Sequence, residues 1–237
     1  MALFRRRTTY DRARILEAAA RARARGKRRR AIDLYRQVLF VEPRNGDLHA
    51  KLAPLLADTG QKFDAWQSYR GVARACLRDG HTEKALALYR EAASRLPRQV
   101  EAWEAAARLL HRSGRHAEAI ETLQEGSRKF RSRRLRPQAI HLLRRARELE
   151  AWHFEIVRDL AKLLDATRQR TEAGRLLEGL AEHTEGALLR RVRSAQFRRA
   201  PGFASFWRWL RQAIRPSAPA PSPALSPVVP LHTARRR

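Results

Sequence analysis

Acidic residues are scarce in this chain: 24 Asp and Glu stand against 51 Lys and Arg in 237 residues, giving a formal charge of +27. A preference for Arg over Lys can come from genome composition, but that leaves the shortage of acids unexplained. The imbalance predicts attraction to an anionic partner, whether nucleic acid, an anionic membrane surface or an acidic protein. Cysteine is nearly absent. The lone Cys76 excludes a disulfide framework and a thiolate metal cluster, and its place on an apolar stripe assigns it to the core. No run of 18 apolar residues exists, so nothing is expected to span a membrane, and the opening MALFRRRTTYDRAR lacks the apolar centre of a secretory signal. The expected setting is cytoplasmic. The glycines are scattered as helix stops rather than grouped after a strand, which excludes a phosphate-cradling loop and a nucleotide cofactor.

What the chain does have is a period. Ala31, Ala85 and Ala139 recur at one constant interval, and with them align Ala53, Ala107 and Ala161, then Leu56, Leu110 and Leu164, then Ala65, Ala119 and Ala173. Gly60 and Gly114 share a column that Arg168 breaks. Self-similarity at a fixed period indicates stacked helical units, none of which can bury its apolar face alone. Each period divides into a longer and a shorter step, as from Ala31 to Ala65 and then from Ala65 to Ala85.

The longer step is thirty-four, the tetratricopeptide (TPR) period, and the residues resemble that family's pattern. Tyr69-x2-Val72-Ala73-x2-Cys76 leads to Ala85-x3-Tyr89 and Pro97, and Trp103-x2-Ala106-Ala107-x2-Leu110 leads to Ala119-x3-Leu123. Small residues at the helix crossing let two backbones approach, while the large residue fills the groove between hairpins. The pattern departs where Arg131 and Ala151 stand for the closing proline and where Arg134 and Arg168 stand for the turn glycine. The shorter steps imply that the helices around Ala65 and Ala119 each serve two overlapping motifs. Which face they line stays open.

The resemblance implies an all-α, right-handed α-solenoid of antiparallel helix pairs, with about twelve helices. Residues 1–9 read as a mobile basic arm, 10–185 as the repeat domain, and 186–215 as basic C-terminal helices including a cap. Residues 216–237 read as a disordered, Pro-rich basic tail. Pro54 falls inside the third expected helix and predicts a kink. Around Phe203 to Ile214, apolar residues recur at helical spacing with Arg between them. That segment reads as the capping helix, with an interfacial membrane helix as the alternative.

No catalytic constellation is found, and no metal site. His111 and His116 are placed so as to fall on separate helix faces, and the histidines read as surface or turn residues. Glu148 is expected to pair with Arg144 at i, i−4. Tyr35, Tyr69, Tyr89, Trp66 and Trp103 are expected in inter-helix packing. Proteins resembling TPR arrays act as non-enzymatic scaffolds that bind a peptide along a concave groove. The resemblance carries groove positions onto Arg74, Arg108, Arg128 and Lys162, all basic, which suits a carboxylate-rich protein segment. Further anion-binding candidates are the connection Arg131, Arg133, Arg134 and Arg136 and the acid-free run with Arg190, Arg191 and Arg193. These would suit an RNA partner. No cofactor and no small-molecule substrate are expected.

Overall fold

The computed structural model describes residues 11–199, 206, 207 and 209–211. The expected arm, the tail and most of the expected helix from 203 to 214 lie outside those residues. Among the described residues the regular structure is entirely helical: α1 (Arg12–Ala24), α2 (Arg28–Val41), α3 (Gly46–Asp58), α4 (Lys62–Arg78), α5 (Thr82–Arg95), α6 (Val100–Arg112), α7 (His116–Lys129), α8 (Arg136–Leu149), α9 (Phe154–Ala166), α10 (Arg170–Glu182) and α11 (Gly186–Arg199). A 3₁₀ turn, Arg133–Leu135, precedes α8. The chain divides into two compact units, residues 1–176 and 177–237.

In the first unit, from α1 to α9, each helix packs against the next. The short turns make these neighbours antiparallel, the stacking of an α-solenoid. Helix α3 also touches α5, and α6 touches α8. These two contacts are separated by one sequence period, so α3–α5 and α6–α8 are successive copies of a three-helix unit. Helices α4 and α7 are the middle members, each packed on both sides, which is how one helix can serve two overlapping motifs. The alanines of the aligned columns, Ala31, Ala85 and Ala139 and then Ala65, Ala119 and Ala173, are buried with almost no exposed surface. A larger side chain there would hold the helices apart. Leu56, Leu110 and Leu164 are equally buried, each contributing roughly 1.5–3 kcal/mol of burial.

The turns repeat too. After α1, α3, α4, α6 and α9 a residue with positive φ ends the helix: Gly26, Gly60, Gly80, Gly114 and Arg168. In each the next N–H reaches back to a carbonyl of the last turn, as Gln61 N to Leu56 O (2.9 Å), Arg115 N to Leu110 O (2.9 Å) and Gln169 N to Leu164 O (2.8 Å), the bond that closes a Schellman turn. The hydroxyls of Thr59, Ser113 and Thr167, one per period, donate to Leu55, Leu109 and Leu163 carbonyls at 2.9–3.1 Å. Arg168 keeps the left-handed turn at φ 67°, a conformation that its Cβ disfavours. Arg134 does not. There α7 stops at Lys129, Phe130 is buried, and the 3₁₀ turn replaces the glycine turn found at Gly80.

At the other type of turn, the ring nitrogens of His49 and Trp103 donate to the Pro43 and Pro97 carbonyls (3.0 and 3.1 Å). The next copy, with Val157 and Ala151, has neither the donor nor the proline. Helix α3 runs on through Pro54 to Asp58. In the second unit the ring of Phe197 on α11 stacks on Trp209 (5.9 Å) and lies 6.1 Å from Phe206. Trp209 Nε1 donates to Ser194 Oγ at 3.1 Å.

Candidate binding surface

The charged face is ordered by the same period. Arg36 on α2 pairs with Asp64 on α4 (2.8 Å), Arg90 on α5 with Glu118 on α7 (2.8 Å), and Arg144 on α8 with Glu172 on α10 (2.9 Å). Arg144 therefore bridges to the next-but-one helix and not to Glu148, which pairs with Arg145 at 2.7 Å instead. Glu118 takes hydrogen bonds from Arg115 and Arg90, which hold its carboxyl well below the usual range, at about 2. Sequence reasoning missed this ladder, although Arg at 36, 90 and 144 and an acid at 64, 118 and 172 can be read directly from the aligned repeats. With the acids used this way, some cations are left without an ion pair among the described residues.

Two of these are Arg74 on α4 and Arg108 on α6. Both are exposed, and the charges of both reach the hydroxyl of Tyr89, as does that of Arg70. Burial raises the Tyr89 pKa, and the three guanidiniums oppose the rise. That buried phenol packs 6.2 Å from the Trp66 ring. Arg70 is bonded to Gln67, while Arg74 and Arg108 make no ion pair among the described residues. Arg70 was not anticipated; it lies one helical turn before Arg74.

The other expected positions differ. Arg128 and Lys162 stand one sequence period after Arg74 and Arg108. Arg128 is exposed, and Lys162 is paired with Asp159 at 3.4 Å. In the α7–α8 connection, Arg131 Nε donates to the Arg128 carbonyl (3.1 Å). Arg136 donates to the carbonyl of Ala166, the last residue of α9 (3.1 Å), where a cation complements the helix dipole. Arg133 and Arg134 are exposed. Arg193 on α11 bonds Gln196 (2.8 Å) and faces Glu178 (3.9 Å). Arg190 and Arg191 lie on the same helix, Arg191 exposed and Arg190 half-buried.

Beside Arg108 opens a cavity of about 170 Å³ with Ala107, Leu123 and Leu149 among its lining. Glu104 on its wall accepts from His141 Nε2 (2.7 Å) and faces Arg145 Nε (3.5 Å). His111 also lines it, and its ring meets that of His116 with Nδ1 to Nδ1 at 2.7 Å. The two histidines were expected on separate faces. They sit instead on the two sides of the Gly114 turn, which folds α6 against α7 and brings the rings together. Tyr35, Tyr69, Tyr89, Trp66 and Trp103 are all buried between helices, and Cys76 is a buried free thiol. No cluster of metal-ligating side chains occurs, and no helix is long and apolar enough to cross a membrane, among the described residues.

A period of paired helices with Ala at the crossings and a cation-lined surface defines an all-α repeat scaffold, the class that mediates protein interactions. Residues 77–136 match the tetratricopeptide repeat family. No curated protein sequence matches it. Among solved structures, it is similar to the MamA protein at 16% identity, covering 72% of this chain and 90% of that one with a TM-score of 0.29. It is similar also to PilF of Pseudomonas aeruginosa, at 19% identity over 85% of this chain and 88% of that one with a TM-score of 0.28. A tetratricopeptide repeat protein of Parabacteroides merdae shares 16% identity over 85% of this chain and 93% of that one, with a TM-score of 0.26.

Proposed function

We propose that this protein is a non-enzymatic adaptor that binds an acidic segment of a partner protein along the cations of α4 and α6. The observation that carries the reading is that Arg74 and Arg108 are exposed and unmatched by acids among the described residues, while Arg36, Arg90 and Arg144 are each matched. Guanidiniums held on packed helices present their donors with little entropy left to lose, and a carboxylate takes two of them at once. Arg128 extends the stripe by one period, with Lys162 as its weaker, acid-paired end. The setting proposed is the cytoplasm, which a single unpaired thiol suits.

Fluorescence anisotropy with labelled decaglutamate and with a labelled uridine decamer tests this. Wild-type protein binds the peptide, and Arg74→Glu with Arg108→Glu lowers its affinity at least tenfold. Reversal of Arg131, Arg133 and Arg134 leaves it nearly unchanged. If the uridine decamer binds more tightly than the peptide and its affinity depends on Arg131, Arg133 and Arg134, the adaptor reading gives way to an RNA partner.

A further inference from the structure

The cavity beside Arg108 has a counterpart one sequence period earlier that is filled by a side chain. Leu123 of α7 occupies the column held by Tyr69 in α4. Tyr69 is wholly buried, and its hydroxyl lies near Glu91, Arg95 and Asp58. In the next copy these three neighbours become Arg145, Leu149 and Arg112, and the phenol becomes a leucine. The helices keep their spacing, because the flanking columns Ala53 with Ala107 and Ala65 with Ala119 are identical and similarly buried. Space that one copy fills with a phenol is therefore left open in the next. Its volume of about 170 Å³ exceeds the roughly 150 Å³ that holds a benzene ring inside a protein.

We propose that this cavity is a socket for one aromatic side chain of the bound segment, seated where the preceding copy seats the ring of Tyr69. This rests on the acidic-segment reading and adds a residue to the ligand's description: an aromatic flanked by carboxylates. Ala107, Leu123 and Leu149 supply the apolar lining. The rim keeps its charge in order, since Glu104 is bonded by His141 and Glu148 by Arg145. Arg108, with no ion pair among the described residues, is left to meet a ligand carboxylate next to the ring. An aromatic anchor carrying most of the affinity, surrounded by charges that set orientation, is the ordinary division of labour at an interface.

The experiment compares two labelled nonapeptides, four glutamates either side of a central Tyr or a central Ala, by anisotropy against the full-length wild type and Leu123→Tyr. Tighter binding of the Tyr peptide by tenfold or more on wild type, lost on Leu123→Tyr while the Ala peptide is unaffected, is the expected result. Binding of 4-methylphenol, the tyrosine side chain alone, is followed in parallel by NMR, with shifts at Leu123 and Leu149 expected in wild type and absent in Leu123→Tyr. Equal affinity of the two peptides for wild type overturns the socket and leaves the acidic groove standing. Failure of both peptides to bind overturns both. Should Leu123→Tyr fold poorly, the two peptides on the wild-type protein still decide.

Discussion

Gly126 sits inside α7 facing the ring of Trp103 on α6, and its replacement by alanine is a sharp test of how closely the helices are packed. A Cβ at that position would lie 2.7 Å from Trp103 Cγ, 2.8 Å from Cδ2 and 3.1 Å from Leu142 Cδ1. The ring has nowhere to retreat: it is buried, and its Nε1 is bonded to the Pro97 carbonyl at 3.1 Å. Forcing one extra methyl into a full contact costs about 1–3 kcal/mol. Against that, alanine is favoured over glycine within a helix by about 1 kcal/mol. Gly71 in α4 supplies the control, because a Cβ there meets nothing within 4 Å. Gly71→Ala therefore receives the helical gain alone and raises the urea midpoint followed by circular dichroism. The helical gain cancels between the two variants, so Gly126→Ala is expected to be less stable than Gly71→Ala by the overpacking cost, about 1–3 kcal/mol. If Gly126→Ala is stabilised as much as Gly71→Ala, the close approach of α7 to α6 is wrong.

Arg168→Gly relieves a left-handed backbone at φ 67° and is expected to stabilise the protein by about 1 kcal/mol in the same denaturation; a loss of stability would contradict the turn geometry. Gly114→Ala, the same substitution problem reversed at φ 76° in open space, is expected to destabilise by about 1 kcal/mol, and a neutral result would count against the left-handed turn. Glu118 has its folded-state pKa depressed from 4.5 to about 2, so its ion pairs stabilise the fold fully above pH 4.5 and are lost as the pH falls toward 2. An acid titration of thermal stability should therefore fall less steeply for Glu118→Gln than for wild type between those values, and identical slopes would remove the ladder from the stability argument.

Much of this architecture is written in the columns. Alanines at 31, 85 and 139 and at 65, 119 and 173 reveal the crossings because only a small side chain lets two helices meet there. Positive-φ glycines at 60, 80 and 114 mark the turns because other residues resist that conformation. Where the sequence departs from the pattern, two outcomes are open and sequence alone does not choose between them. Arg168 accepts the strain of the left-handed turn, whereas at Arg134 the turn is rebuilt as 3₁₀ with Phe130 packed beneath. The pairing of Arg144 with Glu172 rather than Glu148 escaped a reading that looked only along one helix, since the competing acid lies on α10. The meeting of His111 and His116 escaped for a related reason, the reversal at Gly114. The cavity at Leu123 is the subtlest case. A leucine in an apolar column looks ordinary until the phenol in its counterpart shows how much space that column holds.

The central claim is that the α4 and α6 cations form the surface an acidic segment occupies, and backbone amide NMR of the isotope-labelled protein titrated with decaglutamate tests it most directly. The account predicts saturable shifts clustered at residues 70–74 and 104–111, suppressed by Arg74→Glu with Arg108→Glu. Shifts confined to residues 131–136 and α11, or spread without saturation over every exposed arginine, would contradict it.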